Sequence, residues 1–195
     1  LPPTTTTTLF PPTTTTTLFP PTTTTTLPPA VPGTNDFSGD GNAVALWSVD
    51  NGALTTDSIG TNTLTDNNTV GTDTTNFMEG DASADFEKNN SEYLSITDAN
   101  LDSGFPLKSG ESTGDFSVAF WYKAESHAAN GSLVINADYN AAGKKTFLIR
   151  DNNGTLKFNI GYNSGTLWET IDESHPLSLA TWYHIGVTFN NTTKA

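Results

Sequence analysis

The sequence predicts an all-β domain, either a sandwich or a barrel, that follows an extended N-terminal segment. From residue 35 onward, apolar and polar residues alternate with a period of two, and short strand-like runs lie between Gly- and Asn-rich turns. No long stretch between these turns shows helical spacing. Many short strands with such turns are typical of sandwiches and barrels. Residues 1–34 differ, because they form a Thr/Pro repeat unsuited to helix or sheet.

The N-terminal segment, residues 1–34, consists mainly of three five-threonine runs between Pro-Pro pairs, and it holds nine of the eleven prolines and no charge. Proline removes a backbone donor and β-branched runs lose rotamer freedom in a helix, so an extended, polyproline-like chain remains. At about three residues per turn, the nine-residue repeat makes whole turns. Leu9, Leu18 and Leu27 then share one edge, with Phe10 and Phe19 beside them.

Two interpretations of this segment stay open. A Pro/Thr-rich chain can be a disordered linker. It can also be a stalk that is ordered by neighbouring subunits or by glycans, because Thr tracts with proline are typical of O-glycosylated stalks. The candidate O-glycosylation sites are Thr4, Thr5, Thr6, Thr7, Thr8, Thr13, Thr14, Thr15, Thr16, Thr17, Thr22, Thr23, Thr24, Thr25 and Thr26.

Composition restricts the partners of the chain. Twenty-one acidic and eight basic residues give a net charge of −13, which disfavours nucleic acid and anionic membrane surfaces as partners. The chain has no cysteine, so disulfides and thiolate metal sites are excluded. No apolar run is long enough to span a membrane, so no membrane insertion is expected. This composition fits an extracellular, cell-surface protein.

Two strands, 115–124 and 181–189, show the clearest alternation. Between them, 145–150 and 155–162 flank Asp151–Gly154, where Asn-Gly supplies the positive φ angles of a tight hairpin. The residues predicted to share one face are Phe116, Val118, Phe120 and Tyr122 in the first strand, and Tyr183, Ile185, Val187 and Phe189 in the second. The other predicted strands are 43–49, 83–88, 92–96, 132–137 and 166–171.

The order of segments carries a family resemblance. Over residues 43–194 the order is AVALWSVDNG, TDSIGTNTLTDNN, DASADFEKNNSEYLSI, DFSVAFWYKAES, the hairpin, and LATWYHIGVTFNNTTK. It resembles the laminin-G-like or concanavalin A-like jelly roll of bacterial surface proteins, most strongly in WYHIGVTF. The resemblance implies an antiparallel jelly-roll β-sandwich over 35–195. These are core patterns, so they identify a fold better than an activity.

The resemblance also implies an incomplete sandwich. The chain ends at Ala195, soon after WYHIGVTF, where members of that family continue with further strands. Either a neighbouring subunit or sequence missing here would complete the sheet. A sandwich that lacks a strand presents an edge for strand addition. With an extended segment in front of it, head-to-tail assembly into a filament is expected.

No catalytic motif is found, and we predict that the protein is not an enzyme. Glycoside hydrolases of the concanavalin A-like fold need two carboxylates that flank the bond, and their E-x-D-x-x-E pattern is absent. A G-x-S-x-G match at 110–114 precedes a predicted strand instead of a helix, so it reads as a turn. His127, His175 and His184 have no second histidine at ligand spacing. The carboxylates with incomplete or wrong spacing are Glu79, Asp81, Glu169, Asp172 and Glu173.

One loop has half of a calcium-binding pattern, with Asp36, Asp40 and Asn42 as the candidate ligands. Together with Ser38 they supply oxygens at alternate positions, with glycine at the sixth position, but the twelfth position is Trp47 instead of the bidentate Glu of an EF-hand. A simple turn and a calcium site remain alternative interpretations. The pattern itself favours a simple turn, and the resemblance keeps a calcium site open, since laminin-G-like domains often carry one ion on the rim. No other cofactor is expected.

Two sequons are candidates for N-glycosylation, although the hairpin favours a backbone role for Asn153. Only Asn89 and Asn153, preceded by Glu87 and Asp151, fit the stricter acidic form of the N-x-[ST] pattern that bacterial transferases use. Both fall at predicted turns, where a transferase could reach them. The plain pattern occurs at Asn67, Asn89, Asn130, Asn153, Asn190 and Asn191.

Two functions are compatible with these features. The leading prediction is a structural subunit of an extracellular filament or cell-surface appendage, assembled with copies of itself through the N-terminal segment and the open sandwich, and glycosylated. The alternative is a carbohydrate-binding, lectin-like adhesion module of a larger bacterial surface protein, with the repeat as a spacer. Trp121, Trp168 and Tyr162 are the aromatic residues considered for stacking on a sugar.

Overall fold

The computed structural model describes residues 37–111, 114–136, 146–161, 168–171 and 175–190. All of these residues belong to one of the chain's two units, Pro32–Ala195. The predicted polyproline-like segment, its threonines and Asp36 lie outside the described ranges. Within those ranges the protein is all-β: it has strands and short 3-10 helices and no α-helix. The predicted fold class is confirmed.

Ten strands and three short helices are found in the described residues, and every strand pair is antiparallel. The strands form three two-stranded ladders, β1–β4, β2–β3 and β5–β10, and one four-stranded sheet in the order β6-β7-β8-β9. The bounds are β1 Thr65–Asn67, β2 Gly71–Asp73, β3 Ser83–Asp85, β4 Tyr93–Ser95, β5 Phe116–Lys123, β6 Gly131–Asn136, β7 Thr146–Asp151, β8 Leu156–Gly161, β9 Trp168–Ile171 and β10 Trp182–Phe189, with 3-10 helices Phe37–Gly39, Lys88–Asn90 and Asp98–Asn100.

The β5–β10 ladder confirms the two clearest strand predictions. Its register runs from Trp182 opposite Lys123 to Phe189 opposite Phe116. Because side chains alternate along a strand, this register separates an inner apolar face from an outer face. The inner residues, all buried or half-buried, are Phe116, Val118, Phe120, Tyr122, Tyr183, Ile185, Val187 and Phe189. The outer residues are Ser117, Ala119, Trp121, Lys123, Trp182, His184, Gly186 and Thr188.

The core lies between this ladder and the four-stranded sheet. Phe116 of β5 lies 5.6 Å from the Phe147 ring of β7 and 5.4 Å from the Phe189 ring of β10, measured between centroids. Ile149 is fully buried at the centre. Burial of apolar area is the main favourable term in folding. The two layers therefore form a sandwich around one core, whose buried members are Leu107, Phe116, Phe147, Ile149, Phe158, Ile160, Ile185 and Phe189.

The hairpin between β7 and β8 forms as predicted. Asn153 and Gly154 have φ angles of 53° and 79°, the left-handed values that the Asn-Gly pair tolerates. The turn is closed by Asn152 N donating to Thr155 O at 2.8 Å and by the reverse bond at 3.2 Å. Asn-Gly therefore determines the turn, and the alternating apolar residues determine the register of its strands.

The prediction of a strand at 43–49 is wrong. This segment is irregular, and its backbone bonds do not form a ladder. Leu46 N donates to the Asp57 side chain at 2.9 Å, and Leu46 O accepts from Ser58 N at 2.8 Å. Val49 has a φ angle of 54°, which is outside the range of extended strands. The buried Asp57 carboxylate thus replaces a neighbouring strand as the acceptor for this segment.

Two short strands, β1 and β2, are absent from the sequence prediction. Their residues, Thr65–Asn67 and Gly71–Asp73, are polar, exposed or half-buried, so they carry no apolar alternation. The described part also contains no helix that is both long and apolar enough to cross a membrane.

Candidate functional site

The outer face of the β5–β10 ladder carries four large side chains in two cross-strand pairs, which we call the aromatic platform: Trp121, Lys123, Trp182 and His184. Trp121 lies opposite His184, and Lys123 lies opposite Trp182. The Trp121 and His184 ring centroids are 4.9 Å apart, and Lys123 Nζ lies 5.4 Å from the Trp182 ring centroid, within cation–π range. Each cross-strand pair of the platform therefore joins an indole ring to a lysine or histidine side chain.

The connection that follows β2 holds two members of the platform in place. Asn76 Oδ1 accepts from Lys123 Nζ at 3.1 Å, and Glu79 Oε1 accepts from Trp121 Nε1 at 3.0 Å. An indole whose N–H is bonded to a carboxylate has little freedom to rotate. The Trp121 ring is therefore held in one orientation before any ligand arrives.

The same connection is organised by Asp73. The Asn76 side chain donates to Asp73 Oδ2 at 2.8 Å, and Thr75 N and Asn76 N donate to Asp73 Oδ1 at 2.7 and 3.0 Å. The Asn76 amide, followed by the two backbone donors, lowers the pKa of Asp73 to about 2. Asp73 therefore stays ionised at neutral pH and holds Asn76 in position beside Lys123.

Small residues border the platform along the ladder. Ser117, Ala119, Gly186 and Thr188 are exposed and occupy the remaining outer positions. A Cβ atom placed on Gly186 would meet no atom within 4 Å. The ladder surface beside the platform is therefore open. Gly186 and Ala119 form the pair next to His184 and Trp121, so this open strip borders the Trp121 side of the platform.

A second cluster, around Asp151, joins the two layers of the sandwich. Asp151 is 2% exposed and accepts from Gly154 N at 2.7 Å and from the hydroxyl of Tyr122 at 3.1 Å. His127 Nδ1 lies 2.6 Å from Asp151 Oδ2. Burial, together with the charge of Asp151, raises the pKa of Tyr122. The hydroxyl therefore stays protonated and ties β5 to the β7–β8 turn.

The His127–Asp151 pair stabilises the fold around the β7–β8 turn. A Cβ atom on Gly154 would lie 3.2 Å from His127 Nε2, so the second ring nitrogen packs against the turn. From sequence His127 is isolated, because its partner Asp151 lies 24 residues away at the end of β7 and nothing in the local sequence pairs them. The position of Asp151 before Asn-Asn-Gly does indicate a side chain that bonds to its own turn.

A third cluster, at Asp57, Asn62 and Asp102, connects loops of the domain. Asn62 is fully buried, and its Nδ2 donates to Asp57 Oδ2 at 2.8 Å and to Asp102 Oδ2 at 3.0 Å. Burial raises the pKa of Asp57, but donors from Leu46 N and Asn62 outweigh it, so the net pKa is lowered. A Cβ atom on Gly60 would lie within 2.8 Å of all three side chains. Position 60 therefore has no room for a side chain.

No group of three or more His, Cys, Asp or Glu side chains that could hold a metal is found in the part of the chain described. At the predicted calcium loop, Asp36 lies outside the described residues. Asp40 Oδ1 accepts from Asn42 N at 2.9 Å and from Asn42 Nδ2 at 3.3 Å. The amide nitrogen of Asn42 therefore faces Asp40. Calcium binding by Asp36, Asp40 and Asn42 stays a prediction.

Both predicted N-glycosylation sites have exposed side chains. Asn89 lies in the 3-10 helix Lys88–Asn90, before Ser91 at a φ angle of 55°. Asn153 lies at the tip of the hairpin, and its backbone N donates to Ala128 O at 3.0 Å. Glycosylation of either residue stays a prediction. The O-glycosylation candidates lie outside the described residues.

The remaining residues considered from sequence are dispersed. Trp121 is on the platform, whereas Tyr162 is outside the described residues and the Trp168 side chain is not described. Glu79 orients Trp121, and Asp81 N donates to Asp50 Oδ1 at 3.0 Å. Glu169 is in β9, opposite Ile160. The residues of this set that lie outside the described ranges are Asp172, Glu173 and positions 112–113 of the G-x-S-x-G match.

Lys123, Trp182 and His184 were not among the site residues predicted from sequence. His184 was assigned to the strand, where it lies, but its outward direction next to Trp121 follows from the pairing of β5 with β10. The alternation of both strands could have indicated the platform: the large residues at the positions that alternate with the predicted core positions are Trp121, Lys123, Trp182 and His184.

A laminin G family model, described as the concanavalin A-like lectin/glucanases superfamily, matches residues 88–195. Searches of curated proteins and of solved structures gave no match. The matched residues include β5 to β10 and therefore both layers of the sandwich. Domains of this superfamily are mostly binding modules, although glucanases also occur among them. The chain belongs to the concanavalin A-like lectin/glucanases superfamily.

Proposed function

We propose that this domain is a carbohydrate-binding adhesion module and that the aromatic platform is its sugar site. The observation that carries the proposal is the fixed Trp121 ring, bonded to Glu79 at 3.0 Å beside an open strip of ladder. A pyranose ring has apolar C–H faces and polar edges. It matches a flat indole that is surrounded by polar groups.

The rigidity of the platform favours binding. A ligand that meets a mobile side chain loses affinity, because the side chain must be ordered on binding. Here Trp121 is held by Glu79, and Lys123 by Asn76. These side chains lose their conformational entropy when the protein folds, so their ordering does not reduce the affinity for a sugar.

The polar groups at the platform fit hydroxyls. Lys123 Nζ and the amide of Asn76 lie at one edge, and the exposed His184 ring can donate or accept. Ser117 and Thr188 add hydroxyls along the strip. A neutral sugar can use such donors and acceptors without bringing charge to an acidic protein.

A binding role is favoured over hydrolysis. Hydrolysis needs two carboxyl groups about 5–5.5 Å or about 6.5–9.5 Å apart across the bond. The carboxylate bonded to the platform, Glu79, is engaged with the indole N–H of Trp121. This bond gives Glu79 a role in orienting the stacking ring.

The test is a glycan-array screen of the native protein, followed by calorimetric titration of the best sugar. Trp121→Ala should weaken binding by about tenfold or more, the factor expected for loss of a stacking ring. Glu79→Gln retains an oxygen acceptor and should weaken binding less. Ser178→Ala, away from the platform, is the control. Absence of any glycan ligand, or equal affinities for wild type and Trp121→Ala, would contradict the proposal.

We also propose, from the repeat alone, that residues 1–34 form a glycosylated stalk through which copies of this chain assemble outside the cell. The spacing of Leu9, Leu18 and Leu27 supports this idea, because it gives an extended chain one regular apolar edge. Electron microscopy of native material should show filaments, and its intact mass should exceed that of the polypeptide. Isolated particles with the bare mass would contradict it.

A further inference from the structure

We propose that Asn51 is a site of spontaneous deamidation, while the fold protects the other two Asn-Gly pairs of the chain. The pairs are Asn51–Gly52, Asn130–Gly131 and Asn153–Gly154. They share the same dipeptide chemistry, so any difference in their rates must come from structure. The three surroundings differ in ways that act directly on the reacting atoms.

The reaction requires no partner except water. The backbone nitrogen of the glycine attacks Cγ of the asparagine side chain, a C–N bond forms, and ammonia leaves. Water then opens the succinimide ring at either carbonyl, which gives aspartate or isoaspartate. Glycine favours this step because it has no Cβ to hinder approach. Attack needs a glycine nitrogen that is not engaged as a donor and a side chain that can turn toward it.

At Asn153 the attacking nitrogen is engaged. Gly154 N donates to Asp151 Oδ1 at 2.7 Å, and Asp151 is 2% exposed. A hydrogen bond to an ionised acceptor is stronger than one to a neutral acceptor. The nitrogen would have to leave this buried carboxylate before it could attack. Although the Asn153 side chain is exposed, the bond from Gly154 N to the Asp151 carboxylate protects it from deamidation.

At Asn130 the side chain is held. Asn130 Oδ1 accepts from Arg150 Nη1 at 2.8 Å. Gly131 begins β6 opposite Asp151, and a Cβ atom placed on Gly131 would lie 3.3 Å from Asp151 O. Both reacting groups are therefore positioned by the β6–β7 pairing. Deamidation at this position requires local opening of the strand end.

At Asn51 neither group is held. Asn51 and Gly52 are exposed, and Gly52 has a φ angle of 77° with no atom within 4 Å of a Cβ position. The turn is held by other atoms: Asn51 N donates to Asp81 Oδ1 at 2.9 Å, and Ala53 N donates to Asp50 O at 2.9 Å. Among the hydrogen bonds of the described residues, none uses the Asn51 side chain or Gly52 N.

The modification would act on a defined contact. Asp50 and Asp81 hold the turn at 50–51 against the segment at 80–81, through Asp81 N to Asp50 Oδ1 and Asn51 N to Asp81 Oδ1. Isoaspartate adds one backbone methylene and one negative charge between these two carboxylates. Like charges at close range repel, so the turn should separate from residue 81 as the protein ages.

The test is peptide mapping of the native protein during incubation at mildly alkaline pH, with the three sites compared in the same molecules. We expect isoaspartate at Asn51 to accumulate at least about tenfold faster than at Asn153, the factor that corresponds to one hydrogen bond to an ionised group. In denaturant, the three rates should converge. Gly52→Ala should slow the reaction at residue 51 and leave the other two unchanged.

Two results would overturn the inference. One is equal or faster modification at Asn130 or Asn153 in the folded protein. The other is a difference among the three sites that persists in denaturant, which would assign it to sequence and not to the fold. Circular dichroism of Gly52→Ala separates an effect on the turn from unfolding.

Discussion

The two faces of the β5–β10 ladder show how one pair of strands serves stability and binding. The inner face buries Phe116, Ile185 and Phe189 against the four-stranded sheet. The outer face carries Trp121 and Trp182 beside exposed small residues. Both faces are rich in aromatic residues, so composition does not distinguish them. The side-chain alternation of a strand assigns one set of rings to the core and leaves the other for a ligand.

The largest expected difference between the faces is in stability. Ile185→Ala removes a core side chain that is 4% exposed, and it should lower the free energy of unfolding by about 2–5 kcal/mol. Thr188→Ala on the outer face of the same strand should change it by less than about 0.5 kcal/mol. Urea unfolding measures both. Similar losses for the two variants would contradict the assignment of faces.

A smaller effect is expected where the inner face meets Asp151. Tyr122→Phe removes the hydroxyl that donates to this buried carboxylate at 3.1 Å, and should cost about 1.5–3 kcal/mol of unfolding free energy, as for hydrogen bonds to charged groups. Tyr183→Phe is the matched control. Tyr183 lies opposite Tyr122 and its hydroxyl accepts from exposed Ser178 N at 2.8 Å. An equal loss of unfolding free energy in Tyr183→Phe and Tyr122→Phe would contradict a stabilising role for the Tyr122–Asp151 hydrogen bond.

The cluster of Asp57, Asn62 and Asp102 should make the stability of the protein depend on pH in the acid range. The pKa of Asp57 in the folded protein is lowered, so its contribution to stability is complete above the unfolded pKa of about 3.9 and is lost as pH falls toward the folded value. Asp57→Asn should therefore flatten the acid side of the stability profile. Thermal unfolding of both proteins from neutral to acidic pH measures this. Parallel profiles for wild type and variant would contradict it.

The smallest effects concern the outer face alone. Glu79→Gln should leave unfolding almost unchanged, because the bond to Trp121 is only part-buried and the amide oxygen still accepts. Sugar affinity should fall by about two- to fivefold as the acceptor loses its charge. Calorimetric titration beside urea unfolding separates the two properties. A large loss of stability would assign Glu79 to the fold and not to the platform.

The sequence predicted those parts of the fold that depend on local patterns. Alternation identified the core faces of β5 and β10, and Asn153–Gly154 identified the hairpin. The segment at 43–49 is also rich in apolar residues and was predicted as a strand, yet it is irregular because Asp57 accepts from Leu46 N. A side chain eleven positions away competes with a strand partner, and local pattern cannot reveal which one wins.

The site was less predictable than the fold for a related reason. Trp121 was recognised as an outward ring, but its partners come from other elements: His184 from β10, and Glu79 from the connection after β2. Such pairs form only when strand order and register are known. The Asp151–His127 tie is similar, since its residues belong to a hairpin and to a separate loop. The family match supports the fold class, but it does not reveal these side-chain pairs, which only the structure shows.

The central claim is that the outer face binds sugar through its indoles. The most direct measurement is an NMR titration that follows the indole N–H signals of the tryptophans with the best sugar from the array. We predict that the Trp121 and Trp182 signals shift with one common affinity. The Trp47 signal should stay in place, since its Nε1 is not on the platform and donates to Asn62 O at 2.8 Å. A shift of Trp47 with unmoved Trp121 and Trp182 would contradict the account.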